Sequence, residues 1–257
     1  MLYSFAGGSD GYWPESGLVA DSAGNFYGTT ANGGANGFGT VYELSPGGVK
    51  TILYAFAGYY NGDGQTPSSG LVRDAVGNLY GTTSGGGTSG NCYPTGCGTV
   101  YRINAGGGET ILYSFTDTPD GKEPAGNLLL AGGLLYGATQ FGGSFGDGTI
   151  FEVATTSSFK STVWNFFCST SDGCLPTGAL VTDSAGYLYG MTNSGGKYNQ
   201  GISFKLTPTG VETVLNNFGT DGEQPFGGLI FGKGGALFGT TAWGGANGEG
   251  AVVKVTP

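Results

Sequence analysis

The chain has 257 residues, 56 of them glycine and 10 proline, with 9 basic against 18 acidic side chains, four cysteines and no histidine. A formal charge of −9 argues against a nucleic-acid backbone or an anionic membrane surface as partner, and no apolar run approaches the ~18 residues of a membrane span. Without histidine, Cys/His zinc centres and Ser-His-Asp or Cys-His catalysis fall away, and no metal or cofactor is expected.

From the N-terminus, Leu2-Tyr-Ser-Phe5 reads as a short strand, followed by a loop with Asp10-Gly11 and Pro14. Gly17–Asp21 is the next strand (A). Asp21-Ser-Ala-Gly24 is a tight turn, with Asp at its first position and Gly supplying a positive φ. Asn25–Thr30 (B), a Gly-rich loop over Ala31–Phe38, and Gly39–Leu44 (C) follow. Ser45-Pro-Gly-Gly48 then turns into Lys50–Phe56 (D), where Pro46 costs no ladder bond. Apolar residues occupy both parities of strands A, C and D, as in sheets covered on both faces.

The stretch from Asp21 to Gly34 recurs at Asp74–Gly87, Leu130–Gly143, Asp183–Gly196 and Gly232–Gly245. The copies centre on Gly28, Gly81, Gly137, Gly190 and Gly239, with spacings of 53, 56, 53 and 49. A fixed period near 50 residues means a repeat architecture. The fifth copy ends after its strand C, Ala251–Pro257, and lacks a strand D. Leu2–Phe5 is a strand D without A, B or C before it. The chain is therefore expected to be all-β: one five-bladed β-propeller domain over residues 1–257, with four-stranded blades. The N-terminal strand would close the last blade.

Cys92 and Cys97 lie in the B–C loop of the second repeat, and Cys168 and Cys174 in the D–A loop before the fourth. Each pair is expected to form a local disulfide, which implies an oxidising compartment. No signal peptide is visible before the first strand. The expectation is an extracellular or cell-surface protein whose leader and anchor lie outside this sequence.

The pattern LYxF, DGxxP, GLVxDxxGNLYGTT, GG and GTVYxL resembles the GloVer tandem-repeat family of bacterial surface proteins. The first repeat and the stretch from Ile52 to Ile103 carry it best. The third copy departs through Ala131-Gly-Gly133 and the fifth through Gly232-Lys-Gly-Gly235. The resemblance implies secretion and surface display through varied C-terminal anchors, and implies no established activity.

The A–B turns are short and alike, whereas the B–C and D–A loops differ between repeats. Function concentrates on variable loops held by a rigid scaffold. Within them Asp-Gly-x-x-Pro recurs at Asp10, Asp63, Asp120, Asp172 and Asp221. One recurring Asp per loop suits an Asx turn, with its carboxylate on N–H groups two residues on, better than a calcium loop with several oxygen ligands. The non-repeated side chains are Tyr12, Trp13, Tyr59, Tyr60, Tyr93, Phe141, Phe145, Tyr198, Phe226 and Trp243. Aromatic faces among amides and hydroxyls suit stacking on a sugar ring.

A module binding carbohydrate or another surface ligand is the first expectation, with Trp13 and Trp243 as anchors and Tyr12, Tyr60, Phe141 and Tyr198 around them. Ring closure would place the two indoles on one blade. Self-association as a structural unit of an extracellular layer is the alternative. A second alternative is a glycosidase using two of Glu15, Glu123, Asp147, Glu223 and Glu249, although no spacing selects a pair.

Overall fold

The computed structural model describes residues 1–156 and 159–257, and among them no helix is long and apolar enough to cross a membrane. The first repeat forms a sheet of Val19–Ala20, Phe26–Thr30, Thr40–Leu44 and Lys50–Ala55, paired in chain order. The second pairs Val72–Arg73, Leu79–Thr83, Thr99–Ile103 and Glu109–Ser114 in the same way. The third is Lys122–Ala131, Leu134–Phe141, Thr149–Ala154 and Lys160–Asn165. The fourth is Val181–Thr182, Leu188–Gly195, Ile202–Leu206 and Glu212–Asn217, with Gly173–Pro176 also paired on Leu188–Gly195. The last sheet holds three strands, Ile230–Phe231, Leu237–Thr241 and Ala251–Val255.

Strand A is shorter than the sequence suggests. Only Val19 and Ala20 ladder onto Phe26 and Tyr27. Upstream, side chains take over: Ser16 Oγ meets Thr29 Oγ1 at 3.0 Å, as Ser69 Oγ meets Thr82 Oγ1 at 2.7 Å. In the third repeat strand A instead runs for 10 residues. There Gly132 and Gly133, at φ 59° and 81°, make a two-residue hairpin turn whose twist matches its strands, so pairing reaches the tip.

The repeated glycine has a packing cause. It lies opposite the aromatic of strand C, Gly28 facing Tyr42 and Gly190 facing Phe204. A Cβ on Gly28 would stand 2.7 Å from Tyr42 Oη, and one on Gly190 2.6 Å from Phe204 Cζ. The ring lies on bare backbone, which only glycine allows. The sheets then stack through these rings. Phe56 meets Tyr101 edge-on at 5.0 Å, and Phe166 meets Phe204 at 5.2 Å. All four are essentially fully buried, each contributing roughly 2–3 kcal/mol of apolar burial. Buried threonine pairs bridge strands B and C: Thr30–Thr40 and Thr83–Thr99 at 2.8 Å, Thr139–Thr149 at 2.9 Å.

The chain divides into two compact units. The first is Met1–Thr116 with Leu130–Leu135 and Val153–Lys160; the second is Asp117–Leu129 with Tyr136–Glu152 and Ser161–Pro257. The first unit's core includes Tyr27, Val41, Phe56, Leu79 and Tyr101. The second has two clusters, one around Phe166 and Phe204, the other around Met191, Phe218 and Leu237.

Leu2–Phe5 carries no strand assignment. Within the first unit it nonetheless packs as the strand D of a preceding repeat. A Cβ on Gly48 would stand 2.7 Å from the Leu2 carbonyl, as one on Gly210 would from the Val163 carbonyl. Phe5 meets Tyr42 edge-on at 5.2 Å, as Phe56 meets Tyr101. Tyr3 donates its hydroxyl to Asp10, as Tyr54 does to Asp63.

Candidate functional site

The D–A and B–C loops are joined by short antiparallel bridges at one place in the repeat. Tyr12 faces Asn32, Gln65 faces Gly85, Cys174 faces Ser194 and Glu223 faces Trp243. The side chain two residues after the recurring Asp thus stands beside the one that precedes Gly-Gly. Both positions vary while the backbone around them is constant.

The residue before the loop proline is also fixed by backbone. Trp13, Thr66, Glu123, Leu175 and Gln224 are all left-handed, with φ between 51° and 60°. For a side chain other than glycine this costs on the order of 1–3 kcal/mol, and it persists only where the surroundings enforce it. Here neighbouring loops enforce it. Thr66 N–H donates to the Phe38 carbonyl at 3.0 Å, and its carbonyl accepts from Ser84 N–H at 3.1 Å. Gln224 does the same with Gln200 and Ala242, at 2.9 and 3.2 Å. The sequence signal for this set is a residue that varies inside an otherwise constant Asp-Gly-x-x-Pro.

The carboxylates of Asp10, Asp63 and Asp172 are structural, though not as Asx turns. Asp63 reaches backwards, accepting from Ala57 N–H at 2.6 Å and the Tyr54 hydroxyl at 2.9 Å, and also from its neighbour Gly64 N–H at 2.6 Å. Asp172 accepts from Phe167 and Gly173 N–H at 2.9 and 2.6 Å. Asp10 accepts from Ala6 N–H, Tyr3 and the Lys50 ammonium, at 2.7, 2.7 and 2.8 Å. Burial pushes its carboxyl up, but those bonds outweigh burial and hold the pKa at about 2. The Asx geometry belongs to the A–B turn: Asp21 Oδ1 accepts from Ala23 and Asn25 N–H, both at 2.9 Å, and Asp74 and Asp183 repeat it.

In the first unit Trp13 is 61% exposed and stacks edge-on with Tyr12 at 5.4 Å. Tyr60 is exposed beside Tyr59, at 5.5 Å, and Tyr59 lies 6.3 Å from Tyr93. A hydrogen bond with Tyr93 raises the Tyr60 phenol above its ordinary pKa. The Cys92–Cys97 disulfide closes the loop that carries Tyr93. In the second unit Trp243 is 53% exposed, and Tyr198 and Phe226 are exposed as well. Phe141 is half-buried at the end of its strand, and among the described residues it makes no ring contact with Trp243, Tyr198 or Phe226. Phe145 pairs with Phe167, an exposed ring absent from the sequence-based set, at 5.3 Å. The Cys168–Cys174 disulfide closes the adjacent loop. Of the candidate catalytic acids, Asp147 accepts from Cys168 N–H at 2.9 Å and so supports that loop.

The second unit also holds a cavity of about 530 Å³ lined by Tyr198, Gln200, Asn217, Thr220, Asp221 and Glu223. Trp243 adjoins it through the Glu223 bridge, with paired backbone bonds of 2.8 and 3.1 Å. Gln200 Oε1 is buried without a hydrogen-bond partner. Sequence reasoning named Tyr198, Glu223 and Trp243 as candidates, took Asp221 as structural with the other motif carboxylates, and missed Gln200.

A family model described as the Gloeobacter/Verrucomicrobia repeat matches residues 1–93 and again 92–253. No curated protein matches the chain. Among solved structures, a gluconolactonase of Xanthomonas campestris is similar over 94% of this chain and 71% of its own, with a TM-score of 0.56 and 14% identity. A luciferin-regenerating enzyme is similar over 94% of this chain and 76% of its own, with a TM-score of 0.55 and 15% identity. TolB of Acinetobacter baumannii is similar over 93% and 54%, with a TM-score of 0.51 and 11% identity. These likenesses establish an all-β fold of the gluconolactonase propeller type.

Proposed function

This chain belongs to the Gloeobacter/Verrucomicrobia repeat family, and we propose that it is an extracellular binding module whose variable loops take carbohydrate or a similar surface ligand. One observation carries the reading. Positions whose backbone every repeat fixes display side chains that no repeat requires, and the largest of these, Trp13 and Trp243, are 61% and 53% exposed. Indoles that packed the fold would be buried. Exposing two of them on an acidic protein is costly to solubility unless they make contact. Two disulfides on the same loops suit an oxidising compartment.

The module is a single ring of five blades, with Leu2–Phe5 supplying the fourth strand missing from the last sheet. Its strand-D packing onto Tyr42, Gly48 and Asp10 supports this. Deleting Met1–Gly8 then leaves an open sheet edge, and the expected outcome is aggregation. A truncated chain that stays monomeric and melts like the parent counts against closure.

A glycan-array screen followed by tryptophan fluorescence titration tests the binding reading. Saccharide-dependent quenching that disappears in Trp13→Ala or Trp243→Ala, at unchanged melting temperature, supports it. No saccharide binding across the array sinks it.

A further inference from the structure

The five recurring Asp-Gly loops are alike in sequence but not in length. From the strand-D phenylalanine to the Asp, the chain advances five residues to Asp10 and Asp120, seven to Asp63, six to Asp172 and only three to Asp221. The longer loops let the carboxylate fold back onto the N–H just after that phenylalanine, as Asp10, Asp63 and Asp172 do. Three residues give Asp221 no such reach. The aromatic donor is missing as well: Asn216 stands where Tyr3, Tyr54, Tyr113 and Trp164 stand in the other copies. Asp221 is exposed, and among the described residues its carboxylate takes no hydrogen bond and no ion pair.

The carboxylate that its counterparts use for structure therefore opens into the 530 Å³ cavity. Glu223, whose carboxylate is likewise without a partner among the described residues, lines the same cavity. Two carboxylates thus line one space, and among the described residues neither takes a hydrogen bond or an ion pair. Tyr198 gives the cavity its aromatic wall.

We propose that this cavity is a subsite for a saccharide bearing a protonated amine, the ammonium and neighbouring hydroxyls donating to the Asp221 and Glu223 carboxylates while the ring of the sugar lies against Tyr198. This deepens the carbohydrate-binding reading and rests on it. Acidic lining on a chain of charge −9 also disfavours uronates and sulfated sugars.

Calorimetric titration of the full chain in mildly acidic buffer tests the assignment with three probes: a glucosamine tetramer, its N-acetylated counterpart and a galacturonate tetramer. The glucosamine tetramer should bind about tenfold tighter than the N-acetylated one, and the galacturonate tetramer not at all. Asp221→Asn and Glu223→Gln should each weaken the glucosamine tetramer about tenfold, the loss of one charge-assisted bond. Asp221→Asn should leave the melting temperature unchanged, because that carboxylate holds nothing in the protein. Equal affinity for the two glucosamine-derived tetramers, or full affinity in both variants, overturns the subsite and leaves the broader reading standing. Failure of every saccharide overturns both.

Discussion

Lys50 and Glu212 occupy the same place in the repeat, six residues before the strand-D phenylalanine, and each faces the Asp of its own Asp-Gly loop. The outcomes are opposite. The Lys50 side chain is 3% exposed, its ammonium bonded to Asp10 Oδ1 at 2.8 Å and to the Asp10 carbonyl, with the Phe5 ring centroid 4.8 Å away. Glu212 instead meets Asp172 acid to acid. Burial first, and then the Asp172 charge, push its carboxyl up to about 8, and burial raises Asp172 too. Glu109 repeats the arrangement against Asp63 and is pushed up to about 7 by the same causes. Along the chain the position reads Lys50, Glu109, Lys160, Glu212. The lesson is that one socket accepts either sign, and the residue placed there decides whether the loop is held by an ion pair or by a proton.

Reversing the ion pair should have the largest effect. Lys50→Glu places a second acid against Asp10, and the expected loss is on the order of 3 kcal/mol at neutral pH by urea denaturation, since a broken buried pair leaves one charge uncompensated. The loss should shrink in acid as the new pair takes up a proton. A denaturation curve that superimposes on the parent's would remove the ion pair from the account.

The acid pair has a covalent brace that the ion pair lacks, because Cys168–Cys174 closes the loop carrying Asp172. Replacing both cysteines by serine should cost about 2 kcal/mol in the chain-entropy picture. A variant as stable as the parent would assign the loop's order to its hydrogen bonds alone.

The acid pairs should also make stability fall as pH rises. Glu212 has a folded pKa near 8 against an ordinary value of 4.5. Its contribution is complete below the unfolded value and is lost as pH climbs through the folded one. Asp10 runs the other way: its contribution is present above the ordinary carboxylate value and is lost as pH falls through about 2. Glu212→Gln should flatten the alkaline slope by on the order of 1 kcal/mol, the pair being partly open to solvent. Melting temperatures across mildly acidic to mildly alkaline buffers would show it, and an unchanged slope would sink the idea. The smallest effects belong to the display positions: Trp13→Ala and Trp243→Ala should each move stability by no more than about 0.5 kcal/mol.

Much of this was legible in the residues. The Tyr/Phe-Gly period announced the sheets, because a glycine under each strand-C ring is a local requirement that every copy must meet. That the fifth copy supplies three strands of its own was readable from where that copy stops. At Asp10, Asp63 and Asp172 the motif Asp is structural, as its recurrence suggests, but with other partners than an Asx turn. Its donors, Ala57 N–H and Tyr54, precede it on strand D, and propensity rules look forward along the chain. The Lys50/Glu212 contrast was hidden because the two partners are 40 residues apart in sequence, with nothing local to mark them. The Asp221 cavity lay between these cases, since the shortened loop and the missing aromatic are both visible once the copies are aligned on the phenylalanine.

The five left-handed residues before the loop prolines carry a consequence for engineering. Backbone bonds from adjacent loops hold Trp13, Thr66, Leu175 and Gln224, and across the five positions nature already places an indole, a hydroxyl, a carboxylate, an alkyl chain and an amide. A combinatorial library randomised at Trp13, Thr66 and Gln224, which lie outside the strands, would therefore change what these loops offer without touching a ladder. Asparagine and glycine there would relax the backbone, so such a library holds stabilised members alongside altered ones.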